Sequence, residues 1–244
     1  MIPRTLTPAL TAALLDALAL VLPTECASCG APDRPVCVAC ASLLAPDVTR
    51  LAATRAHAPP LFVTSAMPYG GPVRGVLSKL KESGRTDVVP ALAPALAAAV
   101  ADAYRRVCTN DVVLVVVPSS RAAFRTRGYN PAELLVRRAR TGLPSIRPLR
   151  VAQPTRDQAG LTMRDRQSNL AGSMAVRTRF SEGSLRGTSL LLVDDVITTG
   201  ATLLECRRAL ETAGARVLGA ATLAFAERRT GRSSVVRLSQ FAPE

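Results

Sequence analysis

A chain of 244 residues, 48% of them hydrophobic, can bury a sizeable core, and that excludes general disorder. Its formal charge of +13 is unevenly spread: residues 121–186 carry 14 Lys/Arg against 4 Asp/Glu, residues 1–120 carry 10 against 8, and residues 187–244 carry 7 against 6. The middle of the chain is therefore expected to meet a polyanion, pyrophosphate or nucleic acid. With five Phe, three Tyr and no Trp, however, a base-stacking platform for single strands has few parts.

Residues 5–22 form an apolar run interrupted by Asp16, with Leu10, Leu14, Leu18 and Val21 on one helical face. The run is short for a membrane span and no small-residue cleavage site follows it. An amphipathic helix is expected, with no membrane span and a cytoplasmic location. Cys26-x2-Cys29 and Cys37-x2-Cys40 come next, seven residues apart. Two such knuckles suit one tetrahedral zinc with four thiolate ligands, a structural site because no position is left for water. Disulfides or a redox pair are the alternative, ranked lower because nothing here marks an oxidising compartment. Cys108 and Cys206 read as small buried hydrophobes. Residues 45–65, punctuated by Pro46, Pro59 and Pro60, read as a linker. They hold His57, the sole histidine, which removes any Ser-His-Asp scheme.

Tyr69-Gly70-Gly71 then introduces a helix with Val73, Val76, Leu77 and Leu80 on its apolar face, flanked by Lys79 and Lys81, the only lysines. Residues 88–107 predict an alanine-rich helix that Pro94 should end or kink. Val112 to Val117 is an all-apolar strand running into Pro118-Ser119-Ser120-Arg121, whose side chains offer anion donors. Residues 125–131, R-T-R-G-Y-N-P, precede a helix with Pro131 at its first position. Arg137, Arg138 and Arg140 read as a solvated face. Residues 155–180 lack a long apolar period and read as a hood or lid carrying Arg164 and Arg166.

The most informative stretch is Ser189 to Cys206, SLLLVDDVITTGATLLEC. Leu190 to Val193 lack alternation, as in a strand buried on both faces of a parallel sheet. Asp194 and Asp195 stand at its carboxyl end, and a small-residue loop, Thr198 to Thr202, leads into a helix. Unpaired N–H groups and the helix dipole there favour a phosphate, while two carboxylates can accept hydrogen bonds from a sugar diol. No G-x-x-x-x-G-K-[ST] or G-x-G-x-x-G occurs at this turn.

These residues resemble the phosphoribosyl pyrophosphate (PRPP) signature of type I phosphoribosyltransferases. The order of parts (paired C-x-x-C knuckles, Y-G-G, V-P-x-x-R, R-x-R-G-Y-N, Q-x-x-L…R-x-x-N, then the loop) resembles the ComF family over about Ala17 to Phe225. In that family a leucine-histidine pair often stands where Ser119-Ser120 do, and a Gln where Pro131 does. The resemblance implies an α/β fold with a mainly parallel sheet flanked by helices, beside a small four-cysteine zinc module. The expected divisions are 1–45 (helix and zinc module), 46–65 (linker), 66–227 (phosphoribosyltransferase-like domain) and 228–244 (tail). It implies that Asp194 and Asp195 position ribose, and that Thr198, Thr199, Gly200, Ala201 and Thr202 hold the 5′-phosphate. Ser119, Ser120 and Arg121 would hold pyrophosphate with Mg²⁺, and Arg164 and Arg166 would act in catalysis. Some purine salvage transferases carry Asp at the position of Thr198, which cannot exchange a proton at neutral pH, so generic purine salvage is less expected. Two functions follow: phosphoribosyl transfer from PRPP to an unidentified nitrogenous acceptor, or a non-catalytic PRPP-sensing or DNA-uptake accessory role. Nucleic acid, competence or DNA-processing proteins and further copies of the chain are the partners left open. A bare zinc-knuckle interaction module leaves 189–206 unexplained.

Overall fold

The computed structural model describes residues 24–55, 58–152, 172–180, 183–226 and 235–238. The helix expected at 5–22, His57, and Arg164 and Arg166 lie outside the described residues.

The continuous apolar runs become the centre of a seven-stranded sheet. In chain order its strands are β1 (Thr49–Arg55), β2 (Ala58–Pro68), β3 (Val112–Val116), β4 (Ser145–Ile146), β7 (Ser189–Ile197), β8 (Arg216–Phe225) and β9 (Val235–Arg237). Across the sheet the order is β4-β3-β7-β8-β2-β1-β9. Pairs from β4 through β2 are parallel, and β1 is antiparallel to both β2 and β9. Val115 pairs with Leu192 and Val116 with Val193, so β3 and β7 end at one edge. Leu190 to Val193 are fully buried because helices cover both faces of the sheet. The remaining strands, β5 (Leu149–Val151) and β6 (Met174–Val176), form a separate antiparallel ribbon.

Two cores result. On one face, helices α2 (Gly71–Glu82), α3 (Val89–Arg105) and α5 (Pro131–Ala139) bury Leu77, Leu80, Leu92, Leu96 and Leu135 against Leu191 and Val193. The helix α3 continues through Pro94 as one 17-residue element, so the expected break does not occur. With the 3-10 turn Thr86–Val88 that leads into it, α3 makes the stretch Thr86–Arg105, the one among the described residues long and apolar enough to cross a membrane, and it packs within this core. On the other face, α6 (Ala201–Thr212) and the ribbon bury Leu203, Cys206 and Leu210 against Leu190 and Leu192. Buried Glu205 pins the ribbon to α6: it accepts from Gly172 N at 2.9 Å and pairs with Arg208 at 2.7 Å. Cys206 is buried as expected, whereas Cys108 is exposed.

The segment expected as a linker is instead the β1–β2 pair, and β9, from the expected tail, closes its edge. The prolines belong to an irregularity of that pair. Ala53 faces Leu61 and Arg55 faces Ala58, which leaves β2 one residue longer across Pro59 and Pro60. This pair supports the loop before α6. Gly200 caps that helix with φ +73°, and a Cβ there would lie 2.6 Å from the Cβ of Ala53. Its glycine is thus required by packing against β1 as well as by its left-handed backbone.

Gly200→Ala should cost about 1–3 kcal/mol from overpacking, with a further ~1 kcal/mol from the left-handed backbone. Adding Ala53→Gly should recover the packing part only. Urea unfolding of the parent and the two variants measures this, and an unchanged Gly200→Ala would show that β1 does not press on the loop.

Candidate functional site

The strand β7 runs further than the apolar pattern suggests, through both aspartates to Ile197, because Asp194 and Val196 still pair with Thr222 and Ala224 of β8. A cavity of about 270 Å³ opens at this edge. Asp194, Asp195, Ser119, Ser120 and Thr202 all line it, so two segments far apart in sequence meet there. Arg121 does not. It lies on the adjoining cavity, with its exposed side chain beyond Ser119. Thr198, Thr199, Gly200 and Ala201 form the turn into α6, where Ala201 N donates to Thr199 Oγ1 at 3.3 Å and Leu204 N to Gly200 O at 2.9 Å. The hydroxyl of Ser120 is partly used as well, since it caps the helix α4 (Arg121–Arg127) by accepting from Ala123 N at 3.1 Å.

Lys81, read in the sequence only as a flanking lysine, enters the same cavity and holds Asp195 with an Nζ–Oδ1 distance of 2.9 Å. Asp194 accepts from the Asp195 backbone N–H at 2.8 Å. Burial, then the neighbouring Asp195 charge, pushes the Asp194 carboxyl up to about 8, against smaller opposite effects of that N–H and of Lys81. Such a site has spare capacity for a hard cation or for hydroxyl donors. Among the described residues, Arg127 Nε and Ser173 Oγ are buried without a hydrogen-bond partner, and both residues line the cavity. Buried polar atoms left unpaired cost free energy, so the cavity favours an anionic, hydroxylated ligand that would pair them.

The R-T-R-G-Y-N-P motif holds these parts in place. Gly128 ends α4 in the left-handed region, with φ +78°. The Tyr129 hydroxyl donates to the Leu80 carbonyl, and Arg127 NH1 donates to the Lys81 carbonyl at 3.5 Å, so both engage the open C-terminal end of α2. Asn130 donates to the Val117 carbonyl at 2.8 Å and accepts from Ala132 N at 2.9 Å, capping α5 ahead of Pro131. Arg137, Arg138 and Arg140 are exposed, as expected for a solvated face.

The four knuckle cysteines converge so that all their sulfurs lie within 4.8 Å of one another. Each is a free thiol, and Cys29 and Cys37 are 3.6 Å apart. A tetrahedral zinc with bonds of about 2.3 Å sets sulfurs ~3.8 Å apart, and the donor set fits it. Cys37 N donates to Cys26 Sγ at 3.4 Å and Cys40 N to Cys37 Sγ at 3.5 Å. Burial raises the Cys26 thiol, but backbone donors of Cys29, Cys37 and Ser28 outweigh it and lower it to about 6. The Ser28 hydroxyl lowers Cys40, yet burial and the three neighbouring sulfurs push it up to about 12. The knuckle packs against α2, where a Cβ on Gly75 would sit 3.2 Å from the Ser28 Cα.

The description "Phosphoribosyl transferase domain" belongs to the family model that matches residues 93–240. An adenine phosphoribosyltransferase of Mycobacterium marinum is 31% identical over 117 residues, which is 48% of this chain and 60% of that protein. "Competence protein F" of Haemophilus influenzae is 32% identical over 153 residues, 60% of this chain and 65% of that protein. The chain thus spans under two thirds of these relatives' lengths. The crystal structure of a hypoxanthine phosphoribosyltransferase from Staphylococcus aureus aligns with a TM-score of 0.33 at 15% identity, covering 57% of this chain and 64% of that one.

Purified chain should contain one zinc per molecule, measured by metal analysis under reducing conditions. Less than about half an equivalent in a folded protein would reject a four-thiolate site. Asp194 generates a pH prediction. An unfolded aspartate titrates near 4, so between about pH 4 and 8 the folded chain keeps a proton that the unfolded chain has lost. The stability that Asp194 contributes is full below about pH 4 and is lost as pH rises towards about 8. Asp194→Asn has no such proton, so its unfolding free energy relative to the parent should increase from about pH 5 to 8. Urea unfolding across that range, without divalent cations, checks the sign; a constant difference would refute it.

Proposed function

The chain belongs to the phosphoribosyl transferase domain family, and on that premise we propose that it binds PRPP at the Asp194–Asp195 cavity and transfers phosphoribose to a nitrogenous acceptor. The observation that carries this reading is the juxtaposition of two adjacent carboxylates with Lys81 and the unpaired Arg127 Nε in one cavity of about 270 Å³. In this reading Asp194 and Asp195 accept hydrogen bonds from the ribose diol, and the turn at Thr198–Thr202 holds the 5′-phosphate at the start of α6. Ser119, Ser120 and Arg127 receive the pyrophosphate. The acceptor nitrogen forms a bond to the anomeric carbon as the bond to pyrophosphate breaks, and both electrons of that bond leave with pyrophosphate. Donors pre-arranged around the leaving group stabilise its growing charge. Asp194 and Asp195 are hard oxygen donors that fit Mg²⁺, which would supply charge neutralisation to bound pyrophosphate. Four clustered cysteines with no disulfide accord with work in the cytoplasm.

A second reading keeps PRPP binding without turnover, in a DNA-handling role. Similarity to a protein named for competence supports it, as does the arginine excess of residues 121–186. A turnover assay with PRPP and a panel of nucleobases separates the two, since only the first releases pyrophosphate.

Calorimetric titration with PRPP and Mg²⁺ tests the shared step. Asp195→Asn keeps the shape, removes the charge and frees Lys81, so PRPP affinity should fall by about ten- to a hundredfold, the range for hydrogen bonds to charged groups. Equal binding by parent and variant would refute the assignment, and no binding by the parent would refute the reading itself.

A further inference from the structure

A second and larger cavity, about 670 Å³, adjoins the first across Pro118, Ser119, Asn130 and Val151. One wall is α4, which supplies Arg121 and Arg125. The ribbon and its flanks form the other, with Arg147, Arg150, Arg177 and Arg179. Among the described residues Glu133 is the one acid on the lining, and it is already paired with Arg147. Arg177 donates to the Leu149 carbonyl at 3.0 Å, and Arg179 lies over the Phe180 ring at 5.1 Å. Among the described residues, Arg121, Arg125 and Arg150 have no carboxylate partner.

Five guanidinium groups beyond the Arg147–Glu133 pair share one concave lining, and an anion entering it offsets their mutual repulsion, the more so at low salt. A second copy of the chain presenting the same face would add to that repulsion. An inorganic phosphate would leave most of the volume empty, since cavities of this size suit an organic ligand. The lining also has an apolar part: Phe124 is 49% exposed, and Leu149 and Val151 lie on the lining with it. A flat ring can stack there while forked guanidiniums take phosphate oxygens in pairs. One exposed aromatic ring in a bounded chamber matches a single base, whereas a nucleic-acid strand needs a track with several.

We propose that this cavity binds a nucleoside phosphate, held beside the ligand of the carboxylate cavity. The base lies against Phe124, and the phosphate lies between Arg125 on α4 and Arg150 and Arg179 on the ribbon side. The site stands whether or not PRPP occupies the first cavity.

The test is calorimetric titration of the full chain with each common ribonucleoside 5′-monophosphate, each matching nucleoside and a short single-stranded DNA oligonucleotide. At least one monophosphate should bind about tenfold or more tightly than its nucleoside, with saturating PRPP and Mg²⁺ present or absent. The exposed double substitution R150E/R179E, and separately Arg125→Glu on the opposite wall, should weaken it by about tenfold or more while thermal midpoint and PRPP binding stay at parent values. The proposal is overturned if no monophosphate binds, if both variants bind it as the parent does, or if PRPP displaces it competitively. It is also overturned if the oligonucleotide binds far more tightly, with a steep loss in salt, because the arginines would then serve a strand. Loss of monophosphate binding in the variants of a chain that never binds PRPP would support this site and refute the earlier one, so the two failures are distinct.

Discussion

Two carboxylates on consecutive residues, at the end of a strand buried on both faces, repel each other and lose hydration together. Lys81, 2.9 Å from Asp195, offsets that repulsion. With side chains 28% and 13% exposed, that pair is far less screened than a surface ion pair. The position of α2 therefore decides whether the acidic edge exists in usable form. Three features far apart in sequence fix that position: the knuckle meets α2 at Gly75, Tyr129 and Arg127 engage its final carbonyls, and its apolar face fills the core against α3. The four cysteines are in this sense part of the site, although their sulfurs do not line the cavity. They hold the segment that Gly75 touches, six residues before Lys81 in α2.

Legibility in the sequence followed the range of the interactions. Leu190 to Val193 and Val112 to Val117 are long unbroken apolar runs, and both became adjacent parallel strands as that pattern implies. The C-x2-C spacing was legible as far as placement goes, since it brings the four cysteine sulfurs within 4.8 Å of one another. The β1–β2 pair was missed for a physical reason. Its edge-side strands are half exposed, and Pro59 and Pro60 sit in an irregularity that reads locally as a breaker. Lys81 was missed because its partner is 114 positions away, and no local pattern marks a charge pair at that separation. Gly200 entered the sequence reading as part of the phosphate-holding turn, whereas a side chain there would meet the chain itself, at Ala53.

The R-x-R-G-Y-N segment shows how one motif divides between structure and site. Tyr129 and Asn130 spend their polar atoms on the ends of α2, β3 and α5, so they position groups more than they offer them. Arg127 is split within a single side chain: its NH1 serves the Lys81 carbonyl while its Nε, buried on the cavity, has no partner among the described residues. A guanidinium is suited to that division, since its donors are fixed in a plane and cannot be lost by deprotonation.

The basic middle of the chain then resolves into groups with different electrostatic fates. Arg137, Arg138 and Arg140 face solvent, where salt screens them, and say little about partners. Arg127 is tied to the end of α2. The arginines of the second cavity are exposed as well, but they come from two walls and line one shared concave space. Like charges held in a concave, partly apolar chamber create a potential that the same number of charges on a convex surface would not. The net charge of the segment therefore overstates its surface and understates this chamber. Because the chamber and the carboxylate cavity share the Pro118–Ser119 wall, the positive field of one faces the acidic edge of the other. An anion in the chamber and a ligand on the aspartates would sit on opposite sides of that one short turn. The loop after β3 is thus the place where occupancy of either cavity would be felt by the other.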